Sequence, residues 1–288
     1  MAHHPVDFTS LDKPLFPADG ITKAELIAYY RAVAPHMLPY LRDRPINVEC
    51  FPHGIRRPGF FQQAMPPHYP SWIAGVDVKK EGGSVRHVMV QDTDTLLYLV
   101  NQNCITLHAW LSLANRLDAP DQLIFDLDPP TGAGEVVRDV TRMLGELLDE
   151  LGFVPFLKTS GSRGYHVAIP LDAEADFDTV RRFAQEVAEE LASRDPKRIT
   201  TEVRKQSRGR RVYVDTLRNA YAHTAVAPFT VRARPGAPVA TPISWDELED
   251  PKMTPARFTI GNLIPRLDRG IDPWKDFLRQ SADLSKYI

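Results

Sequence analysis

With 288 residues, 43% of them hydrophobic, the chain can bury a sizeable core, and no apolar run approaches the ~20 residues of a membrane-spanning helix. Met-Ala-His-His-Pro at the N-terminus lacks the basic and apolar regions of a signal peptide, and two cysteines, Cys50 and Cys104, are too few for a disulfide framework or a cysteine zinc site. These features predict a soluble, cytoplasmic protein with no membrane partner, and a net charge of −2 does not by itself point to nucleic acid.

The first predicted element is a helix over residues 22–41. Thr22 can cap it, Leu26, Ile27, Tyr30 and Val33 recur at helical spacing, and Pro35 is expected to break or kink it. Residues 46–51 and 85–90 read as strands, 93–100 as a short helix and 104–111 as a strand. A strand over 123–128 stops at two prolines. Residues 135–151 form an amphipathic pattern, with Val136, Val137, Val140, Met143, Leu144, Leu147, Leu148 and Leu151 on one face and Gly152 as the stop. Strands at 153–158 and 165–171 flank a Gly-rich turn, a second amphipathic helix covers 178–192, and strands follow at 199–203, 211–215 and 229–232. This order predicts an α+β fold, a mostly antiparallel sheet with helices on one face.

Leu123-Ile124-Phe125-Asp126-Leu127-Asp128-Pro129-Pro130 carries the strongest chemical signal. Strand side chains alternate, so Asp126 and Asp128 point one way and Phe125 and Leu127 the other. Adjacent carboxylates repel, and a hard divalent cation such as Mg²⁺ or Mn²⁺ would relieve them; the bland alternative is two solvated aspartates before a turn. Asp215 closes another apolar strand, and three carboxylates from two strands suffice for two ions and two-metal phosphoryl transfer. The turn Thr159-Ser160-Gly161-Ser162-Arg163-Gly164-Tyr165-His166 offers backbone N–H groups and a guanidinium to phosphates, though a plain hairpin loop has similar composition. It has neither the G-x-S-x-G spacing of a nucleophile elbow nor the Gly-Lys-Ser/Thr of a Walker loop. Between Lys197 and Arg234, ten basic residues face only Glu202 and Asp215, so that window is +8 and the rest of the chain −10. Such an island is the footprint of a polyphosphate or nucleic-acid site. His108 shares a strand face with Thr106 and Trp110. Phe60 and Phe61 follow Pro58-Gly59, and one of the two is expected at the surface, where it could stack on bases. Lys13 and Lys23 read by themselves as ordinary surface lysines, and His166 as a hydrogen-bonded strand histidine.

In order and spacing, these segments resemble the polymerase domain of bacterial DNA ligase D, in the archaeo-eukaryotic primase superfamily. The likeness runs from about Leu11 to Leu248. It rests on Leu11-Asp12-Lys13 with Thr22-Lys23, Gly59-Phe60-Phe61, Leu107-His108, Phe125-Asp126-Leu127-Asp128-Pro129, the 159–166 turn, Val212-Tyr213-Val214-Asp215, and Val226-Ala227-Pro228-Phe229 leading to Arg232. The resemblance implies a two-lobed primase-type polymerase fold in a single domain over 1–288, with an N-terminal lobe over about 1–118 and a catalytic lobe over about 119–288. It implies a template-dependent nucleotidyltransferase that extends primers in short gaps or at double-strand breaks, taking NTP or dNTP. Asp126, Asp128 and Asp215 would hold two Mn²⁺ or Mg²⁺ ions. Ser160, Arg163, His166 and Arg232 would hold the triphosphate, with His108 near nucleotide and primer end and Lys205 and Arg208 on a loop engaging both. Lys13 and Lys23 would bind the downstream 5′-phosphate, and Phe60 and Phe61 the template. Arg163 stands where the family often has lysine, and Glu49 where it usually has a basic residue. The chain ends at Ile288 with no ligase or nuclease segment, so a separate ATP-dependent DNA ligase and an end-binding protein such as Ku are the expected partners. An Asp-x-Asp glycosyltransferase and a non-catalytic DNA-end-binding module are the alternatives.

Overall fold

The computed structural model describes residues 4–130, 132, 134–284 and 287. Met1, Ala2 and His3, on which the leader reading partly falls, lie outside them. The chain forms two compact units that are not contiguous in sequence. One comprises residues up to 115 with 226–240 and 258–271; the other comprises 116–225, 241–257 and 272 onward. No helix among the described residues is long and apolar enough to cross a membrane.

In the first unit, the helix Lys23–Met37 opens on a capping box in which Thr22 and Glu25 exchange hydrogen bonds. Pro35 does not break it as expected. It sits in the last turn, where its missing N–H deprives only the carbonyl of Arg31, an exposed residue that water can reach, and a 3₁₀ turn Leu38–Tyr40 follows. The sheet of this unit places Cys104–Trp110 beside Ile46–Cys50, then Gly83–Val88 and Gly75–Lys80, with the short strand Phe60–Gln62 also on Ile46–Cys50. The two cysteines dismissed as a framework stand opposite each other on neighbouring strands and form one disulfide, Cys50–Cys104, across a separation of 54 residues.

The strand expected over 229–232 is absent. Phe229 has φ +65°, its amide is bonded to Ala240 O, and Thr230 N turns back to Ala227 O, so only an isolated bridge, Val231 to Val239, survives. Tyr29 donates to Phe229 O at 2.8 Å and holds the turn in place.

The second unit is built on a six-stranded sheet in the order Ile199–Thr200, Val212–Asp215, Gln122–Asp128, Tyr165–Pro170, Phe156–Thr159, Pro242–Ile243. Every pair is antiparallel except the first, as the sequence pattern led us to expect. The amphipathic helices Gly134–Glu150 and Phe177–Arg194, the latter capped by Asp176, pack on this sheet and on each other, so both cover one face. Phe125, Leu127, Val167 and Leu157 are 0–1% exposed and alternate with the polar row described below. The strand expected over 153–158 begins only at Phe156. The one expected over 199–203 stops at Thr200, and a four-residue helix Lys205–Arg208 follows within the basic island.

Candidate active site

Register builds the site of the second unit. Asp215 stands opposite Asp126, Asp126 opposite His166, and His166 opposite Lys158. Directly paired residues of antiparallel strands share a face, so these four side chains form one row across four strands. Asp128 lies two residues along from Asp126, opposite Tyr213, on the same face. Asp126, Asp128 and Asp215 each present a carboxylate oxygen, and these oxygens lie within 4.8 Å of one another. An all-carboxylate donor set suits a hard divalent cation.

The electrostatics fit a cation as well. Burial, then the negative charges of Asp126 and Asp215, push the Asp128 carboxyl up to about 6, against the opposing pull of Arg163 and Arg208. Burial also opposes ionisation of Asp126. There the His166 imidazole, 3.3 Å from Oδ1, together with Arg218 and Lys158, wins and holds the carboxyl down at about 2. Asp215 is fixed differently: Leu217 N donates to its Oδ1 at 2.8 Å and Tyr213 Oη donates to the same oxygen at 3.3 Å. Beyond the end of that strand, Asn219 takes over as a pairing partner, accepting from Ile124 N and donating to Ile124 O.

The Gly-rich turn closes on itself. Ser160 N donates to Gly164 O, and the Ser160 hydroxyl oxygen accepts from Ser162 N and Gly164 N, both at 3.2 Å. Gly161 has φ +62°. A Cβ on Gly164 would lie 1.8 Å from Leu127 O, so the turn is pressed onto the aspartate-bearing strand. Arg163 projects outward from this turn and, with Asp128, Pro129, Pro130, Lys205, Arg208, Gly209 and Arg211, lines a cleft of about 320 Å³. Arg208 lies over the Tyr213 ring at 3.6 Å from its centroid and donates to Val203 O at 2.8 Å. The cleft therefore joins the carboxylate cluster to four cationic side chains.

In the first unit, His108 and Glu49 share a sheet face, with His108 Nε2 3.3 Å from Glu49 Oε1. The hydrogen bond from His108 is the main reason that Glu49 is held below the usual carboxylate range; Arg232 and Thr106 add to it against burial. The carboxylate at this position thus gathers two of the expected nucleotide-binding residues. Phe61 stands opposite Glu49 and meets the His108 ring edge-on at 5.2 Å. Both adjacent aromatics are open, Phe60 at 51% and Phe61 at 45% exposed, where only one was expected at the surface; their strand is short and lies at the sheet margin.

The hairpin of Pro14–Phe16 and Ile21–Thr22 brings Lys13 and Lys23 together, with Lys23 N donating to Lys13 O. The two are not equivalent. Lys13 is half-buried, whereas Lys23 is 2% exposed and its ammonium donates to Asn101 O at 2.8 Å. Burial, then the charge of Lys13, lower its pKa.

Sequence reasoning gave no role to Lys158, although a lysine inside the otherwise apolar stretch Phe156-Leu157-Lys158 is a local signal; it counted Arg211 and Arg218 only within the basic island and quoted Tyr213 only in the run that ends at Asp215.

Known proteins resemble the chain over most of its length. The family model of the LigD primase-polymerase domain matches residues 22–274. The chain is 33% identical over 284 residues to the bifunctional non-homologous end joining protein LigD of Bacillus subtilis, covering 98% of this chain and 45% of that protein. It is 34% identical over 264 residues to the multifunctional non-homologous end joining protein LigD of Pseudomonas aeruginosa, covering 91% of this chain and 31% of that protein. The chain thus spans less than half the length of these relatives. The polymerase domain of Mycobacterium tuberculosis ligase D, solved in complex with DNA, superposes with a TM-score of 0.90 at 28% identity, covering 97% of this chain and 100% of that one. Matched by that family model over residues 22–274 and 33% identical over 98% of its length to a LigD protein, the chain belongs to the LigD primase-polymerase domain family.

Proposed function

We propose that this domain is a template-dependent nucleotidyltransferase that extends primers in short gaps or at double-strand breaks, with release of pyrophosphate. The observation that carries the reading is the register of Asp215 against Asp126, with Asp128 beside a cleft lined by Arg163, Lys205, Arg208 and Arg211. Asp126, Asp128 and Asp215 would hold two Mn²⁺ or Mg²⁺ ions, which would supply activation of the attacking hydroxyl and stabilisation of the leaving pyrophosphate. The chain's own groups do the rest. Arg163, Lys205 and Arg208 neutralise the triphosphate as it enters the cleft. The turn at Ser160 presents its backbone, and His166 steadies Asp126. The resemblance assigns His108 and Arg232 to nucleotide binding and Phe60 and Phe61 to stacking on template bases. In the cell, the domain acts on nucleoid DNA in the cytoplasm, beside an ATP-dependent ligase and a Ku-type end-binding protein. The match of the LigD primase-polymerase model over residues 22–274 does not favour a glycosyltransferase, and a vestigial end-binding module has no use for three clustered carboxylates.

Extension of a gapped duplex with labelled NTP or dNTP tests the reading. Activity should require added Mn²⁺ or Mg²⁺ and vanish on exhaustive chelation. Extension that survives chelation, or transfer of sugar from a nucleotide-sugar in its place, would overturn it.

Recognition of the gap by Lys13 and Lys23 has a separate test. A terminal phosphate dianion beside two close ammonium groups should bind more tightly than a hydroxyl end by roughly tenfold to several hundredfold, and added salt should shrink the difference. The Lys13→Ala/Lys23→Ala double variant should lose this preference yet still extend an open primer-template. Equal wild-type affinity for the two ends would show that neither Lys13 nor the buried Lys23 recognises the terminal phosphate.

A further inference from the structure

We propose that Lys158 is a positioning residue for the metal-binding carboxylate of Asp126, acting through His166. The proposal rests on the nucleotidyl-transfer reading above. Lys158 lies inside the strand Phe156–Thr159 at 1% exposure, directly opposite His166, which is directly opposite Asp126. Lys158 Nζ is 3.0 Å from His166 Nδ1, and His166 Nε2 is 3.3 Å from Asp126 Oδ1.

With Lys158 an ammonium and His166 a neutral imidazole, the chemistry of these three groups selects one arrangement. An ammonium has donors and no acceptor, so His166 Nδ1 accepts from it. In a neutral imidazole the other nitrogen then carries the proton, and Nε2–H donates to Asp126 Oδ1. The opposite tautomer would set Nδ1–H against the ammonium and a bare Nε2 against a carboxylate oxygen, repulsive at both ends. Lys158 therefore sets both the tautomer and the ring orientation, and the ring in turn fixes the carboxylate. A methionine would fill the same space without the desolvation cost of a buried charge, so the ammonium is kept at the expense of stability. Partners one step removed from a metal ligand act in this way in general: they orient the ligand without touching the ion.

The test pairs a spectroscopic readout with activity. Ring ¹⁵N–¹H correlation spectra of metal-free wild-type protein should show His166 with a bare Nδ1 and a protonated Nε2. In Lys158→Met the ring should lose this single tautomer. Nucleotide addition should fall by about 10- to 100-fold, in kcat rather than in KM for the nucleotide, and Lys158→Gln, whose amide N–H still donates, should recover part of it. The double variant Lys158→Met/His166→Gln should be no worse than His166→Gln by itself, because both changes cut the same chain of contacts. A proton on Nδ1 in wild-type protein, or losses that multiply in the double variant, would overturn the proposal. The wild-type spectrum decides even where Lys158→Met fails to fold. If wild-type protein adds no nucleotide with any divalent ion, the polymerase reading fails, while the ring spectrum still reports on Lys158.

Discussion

Asp128→Asn should lower nucleotide addition by on the order of a thousandfold while leaving DNA affinity almost unchanged. On the proposed reading, the charge that develops during phosphoryl transfer would be met by ions that Asp126, Asp128 and Asp215 would hold, whereas DNA binding would rest on lysines and arginines. The same change should leave the metal-free fold as stable or more stable. Three carboxylate oxygens within 4.8 Å of one another repel, and burial with that repulsion raises the Asp128 carboxyl to about 6. Because its folded pKa lies above the ordinary value, the carboxylate is ionised and costs stability at pH 7.5, but it carries its proton at pH 5. The gain of Asn over Asp should therefore be larger at pH 7.5 than at pH 5. Mn²⁺ should raise the melting temperature of the wild type through its binding to the folded state, and should raise that of Asp128→Asn much less. Melting curves at the two pH values, with and without Mn²⁺, check this beside primer extension. A variant that melts lower at pH 7.5 and still extends primers would show that Asp128 is a structural residue.

Gly164→Ala should be the most damaging single-methyl change in the second unit. Its Cβ would stand 1.8 Å from Leu127 O and 2.9 Å from Leu127 C, both backbone atoms. Leu127 is paired on both sides, with Tyr165 and with Val214, so the carbonyl cannot retreat without opening the sheet between Asp126 and Asp128. Overpacking against a fixed backbone costs on the order of 3 kcal/mol, or a fall in melting temperature of about 6–12 °C for a chain of this size. Relaxation by moving the turn would instead displace Ser160 and Arg163 and cost activity. Gly134→Ala is the control. It is exposed at the start of the helix Gly134–Glu150, with no atom beyond its chain neighbours and its own helix backbone within 4 Å of the added methyl, and should change stability by less than about 1 kcal/mol. Thermal unfolding of the two variants side by side makes the comparison, and a Gly164→Ala protein that melts with the control would mean that the turn is not pressed against that strand.

What the sequence determined by itself is local. The two-residue period places Asp126 and Asp128 on one face, and the apolar stripes of Gly134–Glu150 and Phe177–Arg194 specify helices with one buried side. The charge count marks the basic island. Each of these follows from neighbours along the chain. The hairpin Gly75–Lys80 with Gly83–Val88 and the strand Phe60–Gln62 were less legible because they are largely exposed, and exposure removes the alternation that identifies a strand. At residues 229–232 the apolar run reads as a strand, but Phe229 adopts a left-handed backbone held by Tyr29, a partner 200 residues away. Only the tertiary structure decided which residues stand opposite one another. The pairing of Asp215 with Asp126, of His166 with Asp126, and of Lys158 with His166 is a matter of strand order and register, set by the burial of the opposite face of the sheet. A shift of one residue in any of those strands would turn its polar side chain into the helices and dismantle the row, which is why the chemistry depends on the packing of the side that carries none of it.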